Sequence, residues 1–391
     1  MTGRWIGDPT SAAACLTAVR ELGSGTVSEL ATAAGLSRPT LESALVKLAD
    51  VGLVEHRVDS VQPHQAGGRP ARVSRFRPDA GYVAGVDLVG TTVKVALADL
   101  SGTWIHTGAA ELATPTSANP SLDPVVTAVH AVLDDAGADG RLLKAVGVGT
   151  SGVVRADGTM MTSPFVRPWV ERNIRDELTA LIGVPVTVDN DLTLAAFAES
   201  RMGALRDTGT ALYAETFHNM AVRVVIDGNV VRGRRRVAGE LGVLKVFNAE
   251  GYRLETYFDD LARFEVALLA LRDGSTDPSH LSLRDELVAS MAKPLAAMTL
   301  AVDPDVIALG GRLGRFADAL VPQLIESLHD ASIRGPVLDT RIVGAELGRA
   351  GILVGAIDQA FALHAAEIYG LPVDPPVQNL IHDSEELSVH A

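Results

Sequence analysis

Between Leu36 and Arg77 the chain carries side chains whose types and spacing suit contact with a polyanion. Arg38, Thr40 and Ser43 fall on one side of a helical pattern whose other side is Leu41, Leu45, Leu48 and Val51, spaced by four, three and three. A guanidinium can grip a guanine edge with two hydrogen bonds, and short hydroxyls can reach bases or phosphates. Arg69, Arg72, Arg75 and Arg77 follow. The run Gly67-Gly68-Arg69-Pro70 is flexible and flat, a form that lets an arginine enter a minor groove. We read these arginines as phosphate or groove contacts rather than as sequence readers.

These side chains need elements to position them. A first helix is expected from Thr10 to Leu22, stopped by Gly23-Ser24-Gly25. Thr26 with Glu29 three residues on forms a capping box for a second helix that ends at Gly35. Ser37 caps a third, whose leucines belong in a core and whose opposite face, near its start, presents Arg38, Thr40 and Ser43. Gly52-Leu53-Val54-Glu55 turns into a strand, and Val73 to Phe76 supplies its return. Three helices followed by a basic hairpin describe a winged helix-turn-helix over residues 1–78, with Ser37, Arg38, Thr40, Ser43, Arg69 and Arg72 as its DNA contacts. The competing reading is a three-helix bundle that binds protein.

Bulk properties agree with a small and a large folding unit. At 391 residues and 47% hydrophobic, the chain can bury a large core. The single cysteine, Cys15, excludes an internal disulfide and a cysteine-built zinc site, and its alanine-rich setting reads as core. The first residues, MTGRWIGDPTS, lack an apolar signal core, and no run reaches a membrane-spanning length, so a cytoplasmic protein is expected. Net charge is −14 overall, yet residues 1–78 hold nine Lys/Arg against seven Asp/Glu, a surplus of two, leaving −16 for the remainder. A basic strip on a small module carried by an acidic body fits DNA binding through the module alone.

From Gly81 short β-branched runs alternate with helical stretches: YVAGVDL, VKVALADL, AVGVGT, PVTVDN, LYAETF, AVRVVIDG and VIALGG, separated by helices such as Leu192–Arg201, Asp285–Val302 and Arg315–His329. Two rounds of this theme imply an α/β body of two similar lobes over residues 79–373, followed by a polar, acidic tail from Asp374 to Ala391 that we expect to be disordered. The stretch GVDLVGTTVKVALADLSG, from Gly85, resembles the first phosphate hairpin of the actin/hexokinase-type (ribonuclease H-like) ATPase fold. VTVDNDLTLAAFAESRMGA, VAGELG and VIALGGRLG resemble signature regions of the ROK family of repressors, open reading frames and sugar kinases. With the N-terminal module and its GGRPAR linker, the resemblance covers essentially the whole chain.

That resemblance implies a transcriptional regulator, read as a repressor, and it makes the kinase parts checkable. The family's Asp-x-Gly-Gly-Thr stands here as Asp87-Leu88-Val89-Gly90-Thr91, with Val89 adding a Cβ where phosphate must approach closely. The second glycine turn, usually Gly-Thr-Gly-x-Gly, reads Glu215-Thr216-Phe217-His218-Asn219-Met220, with no glycine and an added carboxylate. The family's zinc loop has lost its ligands: Val243 replaces the histidine and no cysteine is near, so no metal is expected and packing through Tyr252 and Tyr257 must hold that loop. Asn190 and Asp191 survive, Asp191 matching the sugar base, and Glu240 and Glu255 match hydroxyl acceptors, whereas the asparagine before Pro-Gly-Trp is Phe165. Apolar swaps weaken a site built on paired polar groups. Asp191 could instead cap the helix beginning near Leu192, and Glu240 and Glu255 could be solvated or capping residues.

The expectation is a non-enzymatic regulator without cofactor. Its body would sense a small molecule through Phe165, Asn190, Asp191, Glu240 and Glu255, hold a homodimer or homotetramer, bind operator DNA and not meet a membrane. The alternatives are an active ATP-dependent sugar kinase with a DNA-binding appendage, and a regulator with no effector.

Overall fold

A computed structural model describes residues 9–58, 72–89, 92–111, 121–163, 165–216, 221–247, 257–331 and 340–380. Arg69 with its glycine run, Gly90, Thr91, residues 217–220, Tyr252 and Glu255 lie outside the described residues.

The head begins with α1 (Pro9–Leu22), β1 (Ser24–Thr26), α2 (Val27–Ala34) and α3 (Arg38–Asp50) and closes with β2 (Val54–Val58) and β3 (Arg72–Phe76). The capping box forms as read: Thr26 N–H donates to Glu29 Oε2 at 2.8 Å and Glu29 N–H to Thr26 Oγ1 at 3.3 Å. Gly35 ends α2 in the left-handed region at φ 63°. Leu41, Leu45 and Leu48 are buried with Leu16, Leu30 and Cys15. Val51 departs from expectation, being 55% exposed. The helix stops at Asp50 and Gly52 reverses the chain at φ 80°, so Leu53 takes the inward place. Ser24 and Gly25, read as part of a helix break, and the cap residue Thr26 pair antiparallel with β3, giving a sheet ordered β1-β3-β2.

The body repeats one sheet plan twice. The first lobe comprises β4 (Tyr82–Val89), β5 (Thr92–Asp99), β6 (Trp104–Glu111), α4 (Asp123–Asp135), β7 (Leu143–Thr150), the small β8 (Val153–Val154) and β9 (Met160–Thr162), α5 (Ile174–Ile182), β10 (Val186–Asn190) and α6 (Asp191–Met202). The second has β11 (Thr210–Glu215), β12 (Val222–Ile226), β13 (Asn229–Val230), α7 (Tyr257–Arg272), α8 (Pro278–Val302), β14 (Val306–Gly310), α9 (Ala317–Asp330) and β15 (Arg341–Gly344). Their orders, β6-β5-β4-β7-β10 and β13-β12-β11-β14-β15, match: an antiparallel meander flanked by two parallel strands. α8 starts seven residues earlier than Asp285, because Asp277 caps it from Ser279 N–H at 2.8 Å and Pro278 opens it.

The chain then returns to the first lobe through α10 (Gly351–Leu363) and ends its helices with α11 (Ala365–Tyr369). α10 lies against the first sheet at backbone contact: a Cβ on Gly147 would stand 1.9 Å from Ala356 O. No other residue fits there. Beyond α11 the tail is ordered through Leu380, contrary to expectation from Asp374 onward. Trp104 Nε1 donates to Gln378 Oε1 at 2.7 Å and Gln378 Nε2 to Val354 O at 2.8 Å, which satisfies a buried amide and fixes the segment. The head rests on this region: Arg20 Nη2 donates to Asp374 O at 3.0 Å and lies over the Tyr369 ring. Among the described residues no helix is long and apolar enough to cross a membrane.

Candidate functional site

In the head, Ser37 caps α3, its Oγ accepting from Thr40 N–H at 3.4 Å and meeting Thr40 Oγ1 at 2.8 Å. Ser37, Arg38, Thr40 and Ser43 are all exposed, as are Arg72 and Arg75 on β3. Arg38 does not extend freely into solvent: its Nη2 donates to Ser28 Oγ on α2 at 2.8 Å. That bond ties the start of α3 to the helix before it and fixes where the guanidinium stands.

The second constellation gathers at the carboxyl ends of the parallel strands, where α/β sheets place their ligands. Asn190 ends β10 and caps α6, its Oδ1 accepting from Thr193 N–H at 2.9 Å. The cap is therefore Asn190, which leaves Asp191 unneeded for capping. Asp191 Oδ1 accepts the adjacent Leu192 N–H, at 2.7 Å. Burial pushes its carboxyl up to about 6, with Glu240 adding and Arg223 opposing. Glu215, at the end of β11, is pushed up to about 8 by burial first and then by Asp191 and Glu240, while the Tyr257 hydroxyl donates to it and holds it back. Asp87, 5% exposed at the end of β4, is raised to about 7 by burial and Asp191 against the pull of Lys94. Its Oδ1, and the hydroxyls of Thr150, Ser151 and Thr216, are buried without a hydrogen-bond partner among the described residues. Orphaned polar groups of this kind want a ligand or water.

Glu240 stands at the N-cap of the 3-10 turn Leu241–Val243, but its side chain makes no capping bond and is 21% exposed. Its carboxylate pairs with Arg223, a guanidinium only 3% exposed that also donates to Asn190 Oδ1 at 2.8 Å and to Thr193 Oγ1 at 2.9 Å. Of the two acceptors proposed for hydroxyls, Glu240 is thus held by the chain itself. Asp189 is gripped likewise, by Arg232 at 3.0 Å, Arg236 at 3.1 Å and Gln359 at 3.0 Å. The space left among Asp189, Asn190, Thr193, Arg223 and Arg236 is about 10 Å³, room for about one water. Phe165 stands at the rim, edge-on to Tyr257 at 5.1 Å and tilted against Phe258 at 5.6 Å, while the loop that Tyr257 was expected to hold, residues 248–256, lies outside the described residues. Val243 is 76% exposed and lines nothing buried.

Of the expected body residues, Asn190, Asp191 and Glu240 come together, Phe165 joins from the rim, and Glu255 lies outside the described residues. Arg223, Asp189 and Lys94 were missed, and Asp87 was named only as part of the first phosphate turn. One signal existed: a lone arginine inside the apolar strand run AVRVVI. Among the described residues no three His, Cys, Asp or Glu side chains group to hold a metal ion.

Two lobes of one sheet plan, with carboxylates converging at strand ends, define an actin-like sugar-kinase fold. A solved ROK family transcriptional regulator, described as a homologue of the Escherichia coli Mlc protein, superposes with a TM-score of 0.65 at 19% identity, over 92% of this chain and 96% of that one. The ROK family model matches residues 83–251. The chain is 27% identical over 320 residues to a glucokinase of Streptomyces coelicolor, spanning 72% of this chain and 98% of the relative. It is 22% identical over 345 residues to the DNA-binding transcriptional repressor Mlc of Escherichia coli, spanning 80% and 84%. Residues 83–251 belong to the ROK family.

Proposed function

We propose that the chain is a cytoplasmic, DNA-binding transcriptional regulator whose kinase-like body senses a small molecule and does not phosphorylate sugar. The observation that carries this reading is the exposed polar start of α3, with Ser37, Arg38, Thr40 and Ser43, in one small unit with a hairpin strand that bears exposed Arg72 and Arg75. A winged helix-turn-helix places that end of its second motif helix in the major groove. In the body, Glu215 adds a carboxylate where a phosphate turn would need donors, and Arg223 occupies Asn190 and Glu240. Repression, rather than activation, is the form we assign.

A sugar kinase remains the second reading, because Asp191 is positioned at a helix start with a carboxyl at about 6, suited to taking a proton. Two assays on the full chain separate them. The regulator binds a specific duplex that Arg38→Ala releases, and transfers no phosphoryl group from ATP to glucose or N-acetylmannosamine. Turnover of either sugar that is lost in Asp191→Asn would make the chain an enzyme.

A further inference from the structure

A cluster outside the constellation above surrounds Glu265 on α7. Arg312, in the loop after β14, donates through Nε at 2.7 Å to Glu265 Oε2, with Nη2 at 2.6 Å. Arg315 bonds the other oxygen, and Arg349, just before α10, places Nη2 3.6 Å from it. One carboxylate, 12% exposed, thus faces three guanidiniums that are 29%, 41% and 19% exposed. The surplus is felt across the cleft. Lys94 of β5, in the opposite lobe, is lowered first by burial, and Arg349 and Arg312 lower it further against Asp87. Arg349 is itself lowered by burial and by Arg312 and Arg315. Packing like charges together costs stability that a plain ion pair does not require.

We propose that Arg312, Arg315 and Arg349 form a phosphomonoester site where the second lobe meets the start of α10, so that the metabolite sensed by the body is phosphorylated. This rests on the reading of the body as a ligand sensor. The planar guanidinium fork matches phosphate oxygens, and several such forks converge here from separate elements. A phosphate between them clamps Arg312 and Arg315 of the second lobe together. It also acts on Arg349 at the entry to α10, whose far end adjoins α11 and the Tyr369 that supports Arg20 of the head. Occupancy is thereby linked to the seat of the head.

The test uses the full chain with inorganic phosphate as the probe, titrated calorimetrically and by thermal melting, with sodium chloride at equal ionic strength as control. Phosphate raises the melting temperature by mass action beyond the chloride control. Arg312→Gln and the more exposed Arg315→Gln each weaken phosphate binding by roughly tenfold or more. Glu265→Gln strengthens it, because a competing carboxylate is gone; a purely structural knot of ion pairs gives no such gain. Melting of each variant without phosphate reports its folding. No phosphate-specific shift in the wild type, or weaker binding in Glu265→Gln when that variant is folded, overturns the proposal. DNA binding measured in phosphate-free buffer tests the regulator reading separately, so either can fail alone.

Discussion

Arg223 Nη2 donates to the carboxylate of Glu240, joining the middle of β12 to the turn that follows β13, and the guanidinium is 3% exposed. A charge buried to that degree needs its partner. Arg223→Ala should therefore destabilise the body by about 2–4 kcal/mol, since it leaves Glu240 without its cation. The double variant Arg223→Met/Glu240→Gln should recover a good part of the loss. Urea denaturation of the four proteins in the cycle checks this; additive effects would show that the two side chains do not act on each other.

The acid groups of the cleft make stability fall as pH rises. Asp87, Asp191 and Glu215 stand at about 7, 6 and 8, all above their unfolded values, so folding takes up protons. Their contribution is complete below about pH 4 and is lost as pH climbs through the folded values. Between mildly acidic and mildly alkaline buffer the body should lose stability, and Glu215→Gln should flatten that loss. Denaturation midpoints across this range read it directly, and a wild type that gains stability toward alkaline pH would contradict it.

Ser37 should matter twice, as the cap of α3 and as a neighbour of DNA. Ser37→Ala should cost about 1 kcal/mol of head stability by removing the cap. Ser37→Asp keeps the cap and adds a negative charge beside the groove, so it should keep the stability and lose DNA affinity. If both variants lose DNA affinity only in proportion to their stability, Ser37 is a cap alone.

Arg38→Ala should weaken specific binding by roughly 1–3 kcal/mol and relax the sequence preference. Ser28→Ala removes the hydrogen bond that holds Arg38 and should cost less, because the guanidinium itself remains. Competition assays with matched and altered duplexes measure both. Arg75→Ala, on the exposed hairpin strand, should instead weaken binding evenly across sequences and reduce the salt slope by about 0.9.

Local signals in the sequence carried the head furthest. Thr26 with Glu29, Gly35 and the leucine spacing are short-range features that survive into the structure unchanged. Val51 did not follow them, because a helix end is set by where glycine reverses the chain rather than by periodicity. In the body the alternation of strands and helices was readable, but β6, β15 and α10 were not. GILVGAIDQAFAL is apolar around its whole circumference, buried between sheet and α6, so it shows no amphipathic period. The chemistry of the cleft was only half legible. Asn190, Asp191 and Glu240 stand in recognisable segments, yet what holds Asn190 and Glu240 depends on contacts across 33 and 17 residues, both made by Arg223. Glu265 meets Arg312 and Arg315 from 47 and 50 residues away. No spacing rule within a segment reaches that far.

The regulator reading itself is tested most directly by selecting DNA from a randomised duplex pool with the purified full chain, under increasing salt, beside the Arg38→Ala variant. The expected result is enrichment of a single pseudo-palindromic sequence by the wild type, with half-sites repeated at a fixed spacing, and loss of that enrichment in the variant. Retention of duplexes without any preferred sequence, equal for wild type and Arg38→Ala, would contradict it.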